Sequence, residues 1–309
     1  MTTDRPALLR SLELHYNPGV HFFSQVTGKW ILVAALIGAE VSMCPAQQAP
    51  EASGARILLL PRKLVTGERA TLAVLDVNGR LTPGVHISFS NGDKITTDAT
   101  GRALFVAPLT TGNIYGTIEG RNGRVTSTIV SPTEVPSATL AVSAVPRVAS
   151  LSDRFEIQGH GFCGEADTNR VTVGGIPALV LAASPAYLAV LPPFDMDPGP
   201  ATVQVKCGQN ISEEFTVVFV TLELESRGST LAPGEHCKLV VHVTGSITRI
   251  NLEARNLAPD IAELNGGTTV RALSTGGKDN TATFELLGRQ RGNFVISIRL
   301  VAPQSAPRQ

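Results

Sequence analysis

"RFEIQGHGFCGEADTNRVTVGG", residues 154–175, decides how the middle of this chain is read. Within it Gly159, Gly161 and Gly164 have the spacing of a dinucleotide-binding loop, G-x-G-x-x-G. That fingerprint works only where a strand enters the loop and a helix begins on it, so that free backbone N–H groups and the helix dipole meet a pyrophosphate. "RFEIQ" reads as a strand, with Phe155 and Ile157 in one phase. "EADTNRVTVGG" has no apolar residues at three and four spacing, and by Val171 the alternation of a new strand has begun. No helix fits in the gap, so no cofactor is expected and NAD, FAD and ATP should not bind. Gly159 and Gly161 instead read as a sharp turn at a sandwich edge, tolerating positive φ, while Phe162 plugs the core. Gly164 completes the fingerprint by accident on this reading.

Outward from that turn the same texture continues. Alternation recurs in "TLAVLDV", "HISFS", "RVTVG", "ATVQVKC", "KLVVHVTG", "TATFELLG" and "FVISIRLV", whereas no long 3.6-period stretch occurs after residue 50. Twenty prolines and 29 glycines punctuate these runs. With 309 residues and 43% apolar content, the chain has material for two or three cores. The expected class is all-β, with three β-sandwiches in tandem behind a leader. The boundaries read as 1–48 for the leader, then 49–133, 134–220 and 221–303 for the three domains. "SPTEVPSATLAVSAVP", residues 131–146, reads as the linker into the second of these.

The leader rests on "KWILVAALIGA", residues 29–39, preceded by Lys29 and followed by the small, polar "EVSMCPAQQAPEASG". A bilayer span needs about 20 apolar residues, and this run has roughly half that before Glu40. It matches a secretory signal peptide cleaved after Ala46, with a long preceding segment. Met43 is a poor residue before a lipidated cysteine, which weighs against lipidation of Cys44; a single uncleaved anchor is the other alternative. The expected location is therefore secreted, periplasmic or cell-surface, with membrane contact only through an uncleaved leader.

Export changes what the cysteines mean. The mature chain keeps Cys163, Cys207 and Cys237, so one pair can close in an oxidising compartment. Cys163 and Cys207 fall in one apparent domain and are the expected disulfide among three possible pairs. Cys237 lies in phase with Leu239, Val241 and Val243 and reads as a small buried apolar thiol.

The middle third resembles the IPT/TIG family of immunoglobulin-like domains. The residues that carry the resemblance are Gly159, Gly161 and Phe162, then Val171, Val173, Gly174 and Gly175, then Pro192, and last Gly199, Val203 and Val205. The first third, through Asp76, Asn78, Gly79, Gly84, Phe89 and the "TTDATGRA" hairpin, resembles bacterial immunoglobulin-like domains of invasin and intimin type. The last third is a sandwich by pattern, only loosely similar to bacterial immunoglobulin-like or cohesin-like modules, with two strands joined through Gly276-Gly277.

Chemistry is sparse. His236 and His242 share a strand face without a third ligand, and His160 with Asp153 and Ser152 has no nucleophile motif around it. Asp93/Asp98 and Asp195/Asp197 lack the run of carboxylates that calcium needs and read as turn residues. No catalytic, cofactor-binding or metal residue is expected, and no enzyme activity. Lys plus Arg equals Asp plus Glu at 26 each, and the leader takes three of either sign, so nothing draws the chain to nucleic acid. Arg121 and Arg124 form a small basic hairpin tip. The partner is expected to be a protein or a surface glycan. The working expectation is an exported interaction or adhesive rod, and the alternative is a carbohydrate-binding accessory protein. Sugar stacking usually needs exposed aromatic platforms, yet Trp30 lies in the leader and the mature chain keeps only Tyr115 and Tyr187.

Overall fold

The computed structural model describes residues 20–25, 56–76, 78–134, 139–225 and 231–301. The apolar run at 29–39, the cleavage region and Cys44 lie outside the described residues. Within them the chain is all-β, with two short 3-10 turns at Pro132–Glu134 and Ala166–Thr168.

Three cores divide it. The first packs Leu64, Leu72, Ile87, Phe89, Phe105 and Ile114 between a sheet of Ile57–Leu59, Arg69–Leu75 and Arg102–Val106 and a second, five-stranded sheet. The second encloses Phe155, Ile157, Phe162, Val171, Val173, Val203, Val205 and Phe219. Phe155 meets Phe219 edge-on, with ring centroids 5.5 Å apart. The third encloses Leu239, Val241, Leu252, Leu264, Phe284, Phe294 and Ile296 between the sheet of His236–Thr244, Thr281–Gly288 and Ala262–Leu264 and the sheet of Asn293–Leu300, Asn251–Asn256 and Thr269–Leu273. The strands on either side of Gly276-Gly277 therefore belong to opposite sheets, and the two glycines carry a crossover rather than a hairpin.

Two junctions weld these sandwiches together. Phe215–Leu224 is one unbroken strand that serves two domains. Its first half pairs with Gly199–Cys207 in the second core, and its second half, Thr221 to Leu224, pairs with His236–Thr244 in the third. The expected boundary at 220/221 thus falls inside a hydrogen-bonded strand. Gly245 marks how closely the modules approach, since a Cβ there would stand 2.5 Å from the Phe219 carbonyl oxygen. The stretch read as a linker is likewise partly structural. Leu140 is buried, and Ala141–Ala144 pairs with Phe155–His160 as a strand of the second domain.

The first junction is double-sided burial. Arg69–Leu75 sends Ala70, Leu72 and Val74 into its own core and Ala73 and Leu75 outward into a further cluster. There they meet Leu181, Ala182, Tyr187 and Ala189, the outward residues of two strands of the second domain. The loop that holds the three glycines completes this contact. Thr71 Oγ1 donates to the Gly164 carbonyl at 3.1 Å and accepts from the Ala166 N–H at 2.9 Å. Arg69 pairs with Glu165 at 2.8 Å and Arg102 with Asp167 at 2.7 Å.

The loop itself corrects the reading of its glycines. Gly161 has φ +74, as a positive-φ turn residue should. Gly159 has no positive φ; it is needed because a Cβ would stand 2.1 Å from the Ala141 carbonyl oxygen. Gly164 is no accident, because a Cβ there would lie 2.0 Å from the Arg69 carbonyl oxygen, inside the module contact. Phe162 is 4% exposed and fills the core as expected. Cys163 and Cys207 form the disulfide, with Cα atoms 5.7 Å apart, and Cys237 is free and half-buried.

One strand inside the stretch read as the leader is also described. Val20–Gln25 pairs antiparallel with Asn293–Leu300, Val20 opposite Ile298 and Gln25 opposite Asn293. Cleavage after Ala46 would remove this strand from the third domain's sheet.

Two stability outcomes follow from this architecture. Thr71→Val keeps the shape but removes both hydrogen bonds to the glycine loop, leaving a buried carbonyl and N–H unpaired. It should cost about 1–3 kcal/mol in urea denaturation. Loss of the disulfide, by Cys207→Ser or reduction, should cost about 2–4 kcal/mol. Because the second domain covers faces of both neighbours, calorimetry should show this loss as a shift shared with at least one neighbour. A middle transition that moves alone would contradict the welded junctions.

Candidate functional site

On the outer face of the third sandwich, away from its core, three strands carry charged residues at directly opposed positions. Glu253 stands between Leu252 and Ala254, which both point inward. Its cross-strand neighbours are Arg271 on one side and Arg299 on the other. Directly opposed side chains on one sheet face lie within contact distance, so this register makes an Arg–Glu–Arg ladder. Arg271 Nε donates to Glu253 Oε2 at 3.0 Å, and Arg299 donates to Oε1 through Nε, also at 3.0 Å, and through Nη2. The Glu253 side chain is only 6% exposed, whereas Arg271 and Arg299 are 68% and 59% exposed. The carboxylate is shielded by a thin cover of two guanidinium groups. Hydrogen bonds from Arg299 first and Arg271 second hold its carboxyl below the usual carboxylate range.

This ladder forms one wall of a groove of about 540 Å3 that reaches all three modules. The facing walls carry Arg62 from the first domain and Ser150, Asp153, Arg154, Glu156 and Gln158 from the second. Arg62 and Glu156 pair across the first junction at 3.3 Å. Glu156 also accepts from Tyr187, whose hydroxyl is pushed far up by burial and by that neighbouring charge. Arg154 lies 3.6 Å from Asp153. The groove thus holds four guanidinium and three carboxylate groups, with hydroxyl and amide donors between them.

None of these groove residues except Asp153 stood out in the sequence. Glu156, Glu253, Arg271 and Arg299 are charged residues on strands, and Arg62, Asp153 and Arg154 lie just before strands; either pattern by itself marks only a solvated surface. Their convergence depends on strand order, which places Thr269–Leu273 and Asn293–Leu300 on either side of Asn251–Asn256.

The other candidates scatter. Ser152 Oγ lies 3.0 Å from Ser150 Oγ, and Asp153 accepts from the Arg154 N–H, while His160 sits in the strand opposite Ala141. His242 approaches Glu225 at 3.6 Å. Among the described residues, no group of three or more His, Cys, Asp or Glu stands close enough to hold a metal. Asp76 and Asp98 fold their own turns, accepting from Asn78 and Arg80 and from Thr100 and Arg102. Arg124 stacks over the Tyr115 ring at 4.8 Å, and Tyr187 is 6% exposed, so neither tyrosine is an open platform. Phe194, which sequence reasoning passed over, is 84% exposed on a turn.

No protein-family model and no curated protein matches the sequence. Solved structures do match. One is the Bacteroides ovatus mixed-linkage glucan utilization locus SGBP-B in complex with a mixed-linkage heptasaccharide, at 15% identity and TM-score 0.32, covering 78% of this chain and 74% of that one. Another is surface layer protein SbsC, domains 1–6, at 15% identity and TM-score 0.19, covering 81% and 38%. A third is the tandem Ig repeats of Dlar, at 11% identity and TM-score 0.21, covering 55% and 100%.

The ladder has a pH signature. A carboxyl held below its ordinary value contributes stability that is present above about pH 4.3, the ordinary glutamate value, and is lost as pH falls through the lowered folded value. Glu253→Gln should cost about 1–3 kcal/mol at neutral pH. In thermal melts across pH 3 to 7, the difference between the two proteins should shrink on the acid side. A difference that grows with acidity would mean that the ladder does not stabilise the charged form.

Proposed function

We propose that the chain is an exported, non-catalytic surface or secreted protein whose tandem immunoglobulin-like modules form a stiff interaction rod. The observation that carries this reading is the way the modules join. A strand shared by two domains and a sheet face buried between the other pair leave little freedom for hinging. Stiff coupling suits a protein that presents a surface at a fixed place, and the groove at the junctions is the surface that such coupling holds in shape. The resemblances to IPT/TIG and to invasin- and intimin-type domains support an extracellular setting. So does a disulfide closing a 44-residue separation, because such bonds persist in oxidising compartments. The described residues contain no helix long and apolar enough to cross a membrane.

The alternative is a carbohydrate-binding accessory protein. Tyr115 and Tyr187 are both covered, which argues against sugar stacking on them, while Phe194 is an exposed ring outside the groove.

Mass spectrometry of the exported protein tests the reading. The mature amino terminus should fall between Cys44 and Glu51. Recovery of soluble cytoplasmic protein beginning at Met1 would sink it, and would fit the pairing of Val20–Gln25 with the third domain. Limited proteolysis of the folded protein should also spare the Phe215–Leu224 junction; early cleavage there would remove the case for a stiff rod.

A further inference from the structure

We propose that the groove is a binding site for an acidic polysaccharide of uronate type, gripped by the Arg271–Glu253–Arg299 ladder. This names a ligand for the surface-display reading and rests on it. The ladder has one carboxylate between two guanidinium groups, so one positive charge remains over. Arg271 commits only Nε to Glu253, and Arg299 commits Nε and Nη2. The remaining donor atoms stand on side chains more than half exposed, along the groove wall. Glu253 fixes both guanidinium planes in advance, so less side-chain freedom is lost when an anion docks. A carboxylate matches such a fork through two parallel N–H···O bonds.

The facing wall decides between anionic ligands. Asp153 and Glu156 there call for hydrogen-bond donors, which the hydroxyls of a uronate ring supply and an acceptor-only phosphate backbone does not. The aromatic residue of the lining, Phe155, is 4% exposed, so neutral sugar rings find no stacking surface. Val145, Pro146, Val148, Leu300 and Val301 give the groove apolar lining as well, so an acidic peptide is the competing occupant, and polyglutamate is its arm of the test. A uronate chain supplies what the walls ask for. It offers a carboxylate to the arginines, hydroxyl donors to Asp153 and Glu156, and hydroxyl acceptors to Gln158 and Arg154. A volume of about 540 Å3 has room for a short oligosaccharide.

The test is affinity electrophoresis and calorimetry of the full chain with polygalacturonate, dextran and polyglutamate. Polygalacturonate should bind, more weakly as salt rises, while dextran should not and polyglutamate should bind at least tenfold less well, a margin of about 1.4 kcal/mol. The pair Arg271→Ala with Arg299→Ala, and separately Arg62→Ala on the facing wall, should each lower affinity by about tenfold or more with folding intact by circular dichroism. Arg255→Ala, an exposed arginine of the same sheet outside the groove, serves as the control for general charge and should change nothing. No binding of polygalacturonate, equal binding of polyglutamate, or equal loss in Arg255→Ala would each overturn the proposal. Binding by a chain that proves to be cytoplasmic would instead keep the site and remove the surface-display reading.

Discussion

The carbonyl of Arg69 and the backbone of Gly164 approach so closely that residue 164 has no room for a side chain. Much of the molecule's organisation depends on that approach. It brings Thr71 within reach of both the Gly164 carbonyl and the Ala166 N–H, and it lets the outward residues of two sandwiches close over one another as a fourth apolar cluster. Two immunoglobulin-like modules joined only by a linker would keep polar outer faces. Here Ala73, Ala182 and Ala189 share the contact with Leu59, Leu75, Leu181 and Tyr187, so the outer faces are apolar where the modules meet. The glycine turn at the start of the second domain thus has two duties. Gly159, Gly161 and Phe162 close its own core, and Gly164 with the residues after it docks the neighbour.

Rigid docking gives the groove its form. Arg62 belongs to the first module, Arg154 and Glu156 to the second, and the Arg271–Glu253–Arg299 ladder to the third. Freely hinged modules would bring these groups together only part of the time, and a ligand would then lose affinity in proportion to the closed fraction. The shared strand Phe215–Leu224 on one side and the double-sided sheet contact on the other hold the walls in register. Within the ladder the same principle acts at smaller scale, since a nearly buried carboxylate orients two exposed guanidinium groups and leaves them with unused donors.

Neutral net charge therefore conceals a local arrangement. Equal numbers of acids and bases exclude a global field, but they do not prevent one carboxylate from serving two arginines at a single place. Local surplus of this kind acts within about a Debye length and gives no long-range steering.

The sequence by itself determined the all-β class, the run of strands, the core phase of residues such as Val171, Val173, Val203 and Val205, and the pairing of Cys163 with Cys207. These follow from period-two alternation and from proximity within one domain, both local properties. The run "TLAVLDV" reads as alternating, yet Ala70 to Leu75 are buried on both faces, as are "VLAAS" and "YLAV", because two modules close over them. Tertiary structure alone decided the rest. Strand order across a sheet is a long-range property, so nothing local places Arg271 and Arg299 on either side of Glu253, or carries Phe215–Leu224 across an expected domain boundary. The role of Gly164 was hidden for the same reason: its constraint is a carbonyl 95 residues away in the chain, and only folding brings the two together.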